Sequence, residues 1–317
     1  MIKQILFIFF PLLSFAQPSY SEVDVLLQKK EYTKAEVVLT SYLKNNPDEK
    51  KALELLGDTY ALQENWDEAI VIFEQLVEVD SSSANYHYKY GGVLGMKAIN
   101  SNKITAFFLV DDIEEELKLA VKLDPNHIEA RWALIDFYIQ TPNIIGGSET
   151  EALKYANELE VISPVDGYLS KGYIYEYSDE PELAEQYYRM AIEVGGSITC
   201  FQKLTSFYEN QDRPLEAIST IEKANKKLNR NSLNYQLGKI CANYNLELEK
   251  GEMCLMKFID NYSVKDGVPL KWAYLKLAQI YKHKNDKSNA LKWINKSLAN
   301  QSDFEPALEE KELILEM

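Results

Sequence analysis

The sequence predicts an all-α protein, a solenoid of about eight helix hairpins closed by a C-terminal capping helix. Three observations carry this. A phrase, Leu56-Gly57-Asp58-Thr59-Tyr60 followed by Ala69 and Phe73, recurs with variation along most of the chain. It sets a small residue and an aromatic three apart on one helix, and an alanine and an aromatic four apart on the next. Segments aligned on the second-helix alanine repeat at about 34 residues. No Pro/Gly/Ser-rich linker interrupts the run, so the mature chain reads as one stack rather than two globules.

Residues 1–16 stand outside the repeats. Lys3 gives a basic start, and residues 5–15 form an apolar run. That run is well short of the ~20 residues of a spanning helix. Ser14-Phe15-Ala16 puts small residues at the cleavage positions, which predicts a secretory signal peptide cut before Gln17. No cysteine lies near the cut, which speaks against a lipid anchor. The predicted location is therefore bacterial and periplasmic, with no membrane insertion after cleavage.

The repeats then follow in order, residues 17–302. The first unit shows Ala35, Leu39 and Pro47, behind a short first helix starting near Tyr20. The second shows Gly57, Tyr60, Ala69 and Phe73, with Asp80-Ser81 at its end. The third, residues 84–125, carries Gly91, Ala120 and Pro125 but exceeds the repeat by about ten residues. The excess lies between Met96 and Ile113, with Asn100-Ser101-Asn102 as the turn between two lengthened helices. The fourth has Trp132, Tyr138, Ala152 and Pro164, and an inserted loop at residues 141–147. There Pro142 stops one helix, Gly146-Gly147 permits backbone angles closed to other residues, and Ser148 with Glu151 forms a capping box for the next. The fifth unit is regular, with Gly172, Tyr175, Ala184, Tyr188 and Ala191. The sixth shows Tyr208, Ala217 and Ala224. The seventh has Gly238 and Cys241, but Lys250-Gly251 stands where the alanine belongs, with one residue inserted. The eighth gives Tyr274, Ala278, Tyr281 and Ala290, and residues 303–317 form an acidic amphipathic helix able to cover the last apolar face. Small residues let paired helices approach, and large ones fill the space between hairpins. A hairpin cannot bury its apolar face alone, so neighbours stack.

With a formal net charge of −15, one unit more negative once Lys3 is removed, the chain repels nucleic acid and anionic lipid. Its only arginines are Arg131, Arg189, Arg213 and Arg230, which weakens any phosphate-binding reading. Three cysteines remain, Cys200, Cys241 and Cys254. An oxidising compartment permits a Cys241–Cys254 bridge within one hairpin. The alternative is three small buried thiols.

On these repeated residues the chain resembles the tetratricopeptide-repeat superfamily over almost all of its mature length. The stretched third unit with Leu123-Asp124-Pro125-Asn126-His127, Ala130-Arg131, Phe137-Tyr138 and Pro142 ahead of Gly146-Gly147 resembles a narrower group. These are exported bacterial members with a lengthened hairpin and a Pro-x-x-x-Gly-Gly loop. The resemblance implies a right-handed superhelix whose concave face binds peptides or proteins. Carried onto this sequence, its groove positions are Tyr88, Met96, Trp132, Asp136, Gln140, Tyr173, Glu176, Tyr177, Gln202, Glu209, Asn210, Tyr235, Lys239 and Asn243. The middle of that set is aromatic and acidic, which suits a Lys- or Arg-containing peptide. The lysine-rich clamp of chaperone-type relatives is replaced by Asp58, Asp136, Glu176 and Glu209, which disfavours an acidic C-terminal tail. The apolar run at residues 104–110 is expected to pack on the next hairpin's extension or on the Ile144-Ile145 loop, or to serve as a docking knob.

Catalytic signals are missing from the sequence. His87, His127 and His283 stand apart without metal-ligand spacing, no phosphate loop or nucleophile elbow occurs, and Glu114-Glu115-Glu116 reads as a solvated face near a helix start. The expected function is a non-enzymatic, cofactor-free exported scaffold binding a protein or extended peptide in envelope assembly or transport. The alternative is a small-ligand-binding accessory of a periplasmic transporter, with a pocket under the inserted hairpin.

Overall fold

A computed structural model describes residues 20–299 and 301–317; the leader expected at residues 1–16 lies outside the described residues. The chain divides into two compact units, Met1–Tyr155 and Ala156–Met317. Among the described residues every regular element is a helix.

The first unit contains α1 (Tyr20–Gln28) with α2 (Tyr32–Leu43), α3 (Lys50–Leu62) with α4 (Trp66–Val79), α5 (Ala84–Ile99) with α6 (Lys103–Leu123), and α7 (Ile128–Gln140). A 3-10 turn at Asn143–Ile145 follows, and α8 (Glu149–Ile162) begins in this unit and ends in the second. The second unit contains α9 (Pro164–Tyr177) with α10 (Pro181–Val194), α11 (Ile198–Asn210) with α12 (Pro214–Leu228), α13 (Asn231–Tyr244) with α14 (Leu248–Asp260), and α15 (Leu270–His283) with α16 (Lys287–Leu298). It ends on α17 (Glu305–Leu315). Proline opens α9, α10 and α12, where its missing N–H and fixed φ suit the first helical turn.

One steric device closes four of the hairpins. A small first-helix residue lies beneath a large second-helix side chain: a Cβ added to Gly57 would sit 2.7 Å from the Phe73 ring, and one on Gly172 would sit 2.6 Å from the Tyr188 ring. Gly91 meets Leu117 and Gly238 meets Leu255 in the same way. In the seventh hairpin Gly251 takes the alanine's place, and a Cβ there would approach that of Cys241 to 2.6 Å. The turns within α1–α2, α3–α4, α9–α10, α11–α12 and α15–α16 each use one left-handed residue: Lys30, Glu64, Asp179, Asp212 and Asn285. In four of them the residue after it donates back to a tyrosine carbonyl five positions earlier, at Tyr60, Tyr175, Tyr208 and Tyr281, satisfying an otherwise orphaned acceptor at the helix end.

The two insertions break this pattern. α5 and α6 run 16 and 21 residues, and Asn102 caps α6 by accepting from the amides of Ile104 and Thr105. In the inserted loop Gly146 has φ +119° and Gly147 lies so close to the Thr141 carbonyl that a Cβ would overlap it. Ser148 accepts from the Glu151 amide to start α8. Cys200, Cys241 and Cys254 are buried free thiols, with no disulfide among them.

Candidate functional site

The groove positions carried over from sequence do not form one uniform surface. In the second unit, Tyr173, Glu176 and Tyr177 on α9 and Gln202 and Asn210 on α11 meet in a cleft of about 480 Å³. The cleft exists because consecutive first helices lie side by side and present the same face. Tyr188 of α10 forms its floor, its ring seated over Gly172. The Tyr188 hydroxyl donates to Glu176 Oε2 at 2.8 Å, and the Asn210 amide donates to Glu176 Oε1 at 2.8 Å. Burial, then the Glu176 charge, push the Tyr188 phenol far above its usual range, so it remains a donor. Glu176 is thus oriented by two neutral donors, and among the described residues no lysine or arginine is ion-paired with it. Tyr177 is 54 % exposed at the rim. Thr199, Lys203 and Ser206, which sequence reasoning did not select, complete the lining.

Elsewhere the expected acidity is offset by lysines one hairpin further along. Lys89 Nζ lies 2.7 Å from Asp58 and 2.8 Å from Glu54. Burial opposes the Lys89 charge, but these carboxylates outweigh it and hold the ammonium pKa above its usual value. Glu209 pairs with Lys239 at 3.3 Å. Tyr88 is half-buried, its ring centroid 5.1 Å from that of His127. Trp132 is half-buried on α7 and Asn243 accepts from Lys276. Tyr235 does not lie on the groove surface. It is a core residue, 8 % exposed, with its ring 5.4 Å from Phe258. Both α12 and α15 pack against α13 along with its own partner α14, so a position that faces outward on other first helices is covered here.

The remaining positions, Met96, Asp136 and Gln140, gather in the first unit around a different feature. A cavity of about 440 Å³ opens between α5, α6, α7 and the inserted loop. Ile99, Phe107, Val110, Phe137, Pro142 and Ile145 give it an apolar wall. The two insertions do face each other here, with Val110 the nearest side chain to Gly146. They do not bury each other fully: Ile104, Phe108 and Ile144 remain 72 %, 73 % and 93 % exposed.

The three histidines have structural partners. His87 lies between the Glu116 carboxylate, at 2.6 Å, and the Ser81 carbonyl. His127 caps α7, and His283 reaches the Ala242 carbonyl. Among the described residues no group of three or more His, Cys, Asp or Glu side chains could hold a metal, and no helix is long and apolar enough to cross a membrane.

Residues 26–90 match one tetratricopeptide-repeat profile, and residues 165–194 and 273–304 match another. A tetratricopeptide-repeat protein from Parabacteroides merdae has a similar structure, with TM-score 0.50 and 13% identity over 93% of this chain and 96% of that one. The C-terminal part of a repeat protein from Cytophaga hutchinsonii aligns with TM-score 0.46 and 15% identity over 92% of this chain and 98% of that one. YrrB, described as a TPR protein with an unusual peptide-binding site, aligns with TM-score 0.42 and 17% identity over 63% of this chain and 99% of its own. No curated protein matches the chain.

Proposed function

Because the chain is a tetratricopeptide-repeat protein, we propose that it is a non-catalytic scaffold that holds a polypeptide in the cleft between α9 and α11. Proteins of this superfamily act as protein- and peptide-binding scaffolds. The observation that carries the reading is Glu176, oriented by Tyr188 and Asn210 in a cleft that Tyr173 and Tyr177 also line. A carboxylate in a cleft lined by tyrosines suits a lysine or arginine side chain of an extended peptide, through a charge-assisted hydrogen bond and cation–π contact. The chain's net charge of −15 adds a long-range attraction for a basic partner.

The proposal includes export. With the leader removed before Gln17, the scaffold acts in the periplasm, in envelope assembly or transport. N-terminal sequencing of the protein purified from cells checks this: a mature chain starting at Gln17 supports it, and a retained Met1 sinks it. For the cleft, selection of a random peptide library on the purified protein should enrich Lys/Arg-containing sequences. Glu176→Gln should abolish that bias while leaving thermal stability within about 1 kcal/mol of the parent. A library that enriches nothing over background would overturn the peptide reading.

A second reading has an observation of its own. The apolar cavity bounded by α5, α6, α7 and the inserted loop favours a small ligand, as in an accessory protein of a periplasmic transporter.

A further inference from the structure

The cavity in the lengthened hairpin is bare by construction. α5 carries three glycines within five residues, Gly91, Gly92 and Gly95. Gly91 is needed for packing, since an added Cβ would press on Leu117 at 3.0 Å. Gly92 and Gly95 are not: a Cβ at either would meet no described heavy atom within 4 Å. Both line the cavity. A mid-helix glycine weakens a helix relative to alanine, so two that relieve no contact are a standing penalty for an open wall. Ala98, Ala106 and Ala133 keep other sides of the cavity short. Met96, a flexible side chain that adapts to irregular apolar partners, stands at 40 % exposure among them.

The polar groups on the lining are few and differ in state. Asp136 and Gln140 are already engaged within the protein. Lys103, the first residue of α6, has no ion pair or hydrogen bond among the described residues. Lys103 is exposed, and an anion held on it would also meet the positive end of a 21-residue helix. An apolar chamber near the lower end of the ~300–1,000 Å³ range of ligand pockets takes one hydrocarbon chain and not two. A single unpaired cation on its lining then specifies the head group.

Building on the small-ligand reading above, we infer that this cavity binds a single-chain fatty acid, its alkyl chain along Gly92 and Gly95 and its carboxylate on Lys103. The long-range field of an acidic chain works against an anion, so preference for a carboxylate must come from Lys103 locally.

Calorimetric titration of the full delipidated chain tests this with three monomeric probes: octanoate, dodecanoate and dodecyltrimethylammonium. Dodecanoate is expected to bind at one site, and each methylene between octanoate and dodecanoate to tighten binding about fourfold. Lys103→Gln should weaken dodecanoate about fivefold, the worth of one partly exposed charge pair. Gly95→Leu, which grows into open space, should weaken it by at least about tenfold while leaving the melting temperature equal or higher. If the ammonium probe binds as tightly as dodecanoate, the fatty-acid assignment falls and the apolar-ligand reading stands. If no probe binds, both fall. Unchanged dodecanoate affinity in folded Gly95→Leu places the ligand elsewhere and overturns the site.

Discussion

Glycine has two opposite duties on the first helices, and single substitutions separate them. Gly172 is a contact glycine, because the Tyr188 ring above it is buried and tied by its hydroxyl to Glu176. Gly172→Ala gains about 1 kcal/mol of helix propensity but forces that ring aside, and overpacking of this kind costs about 1–3 kcal/mol. We expect net destabilisation in urea unfolding and, because Glu176 loses its alignment, weaker peptide binding. Gly95→Ala meets nothing and should instead raise stability by about 0.5–1 kcal/mol. A gain at Gly172 would mean that the ring shifts freely. The buried thiols give a second residue-scale prediction. Burial, and then the neighbouring Cys254, push the Cys241 thiol up to about 12, and burial also raises Cys254. All three cysteines should resist alkylation at neutral pH in the folded protein and react together in denaturant, counted by mass spectrometry. The glycine and tyrosine spacing was legible in the sequence because it is periodic. The bare wall at Gly92 and Gly95 was not, since nothing local distinguishes a glycine that packs from one that faces a void.

Each hairpin is an element whose register can be followed through its own contacts. The same sequence distance separates Gly57 from Phe73 and Gly172 from Tyr188. From Gly238 to Leu255 it is one residue longer, and from Gly91 to Leu117 ten longer. The steric pair is therefore kept while the intervening helices grow, and the surplus is displaced to the hairpin tip where the cavity forms. Links between neighbouring hairpins are polar as well as apolar. Glu185 of α10 accepts from Arg213 at 2.7 Å and from the Tyr208 hydroxyl at 2.9 Å. Burial alone would raise the Glu185 pKa; the hydrogen bonds from Arg213, Arg189 and Tyr208 outweigh it and hold the carboxyl below its usual 4.5. A depressed folded-state pKa means stability that is fully present above 4.5 and lost as the pH falls through the folded value. Asp58 acts oppositely, because burial raises its pKa in spite of Lys89. Comparison with Glu185→Gln isolates the first effect. The parent should lose more stability than the variant on acidification below pH 4.5, by less than about 1 kcal/mol because the cluster is partly exposed. Parallel acid curves for the two proteins would show that the cluster contributes nothing. The partners Lys89, Arg213 and Lys239 escaped sequence reasoning because each sits about one repeat away from its carboxylate, and only stacking brings them together.

Across the whole molecule, a repeat array is stabilised by its interfaces and vulnerable at its ends. In the second unit Phe304, Ala307 and Ile314 of the terminal segment are buried in one core with Ala290, Trp293 and Ile294 of α16. Trp272 of α15 meets Phe304 edge-on at 4.8 Å, and Lys282 pairs with Glu310 at 2.6 Å. Truncation after residue 302 should therefore cost roughly 3–6 kcal/mol, from Phe304 and Ile314 alone, and expose apolar surface to a reporter dye. An unchanged unfolding midpoint would show that residues 303–317 do not act as a cap. The sequence by itself determined the all-α class, the eight hairpins and the terminal helix, because small and large residues at a fixed spacing admit few other ways of being buried. Four of its groove candidates, Tyr173, Glu176 and Tyr177 on α9 and Gln202 on α11, line a single cleft. Only the tertiary structure decided that Tyr235 belongs to the core, that Asp58 and Glu209 are neutralised by lysines, and that the two insertions enclose a cavity instead of filling each other. Those outcomes depend on which third element covers a helix face, and the spacing within one repeat contains no information about that.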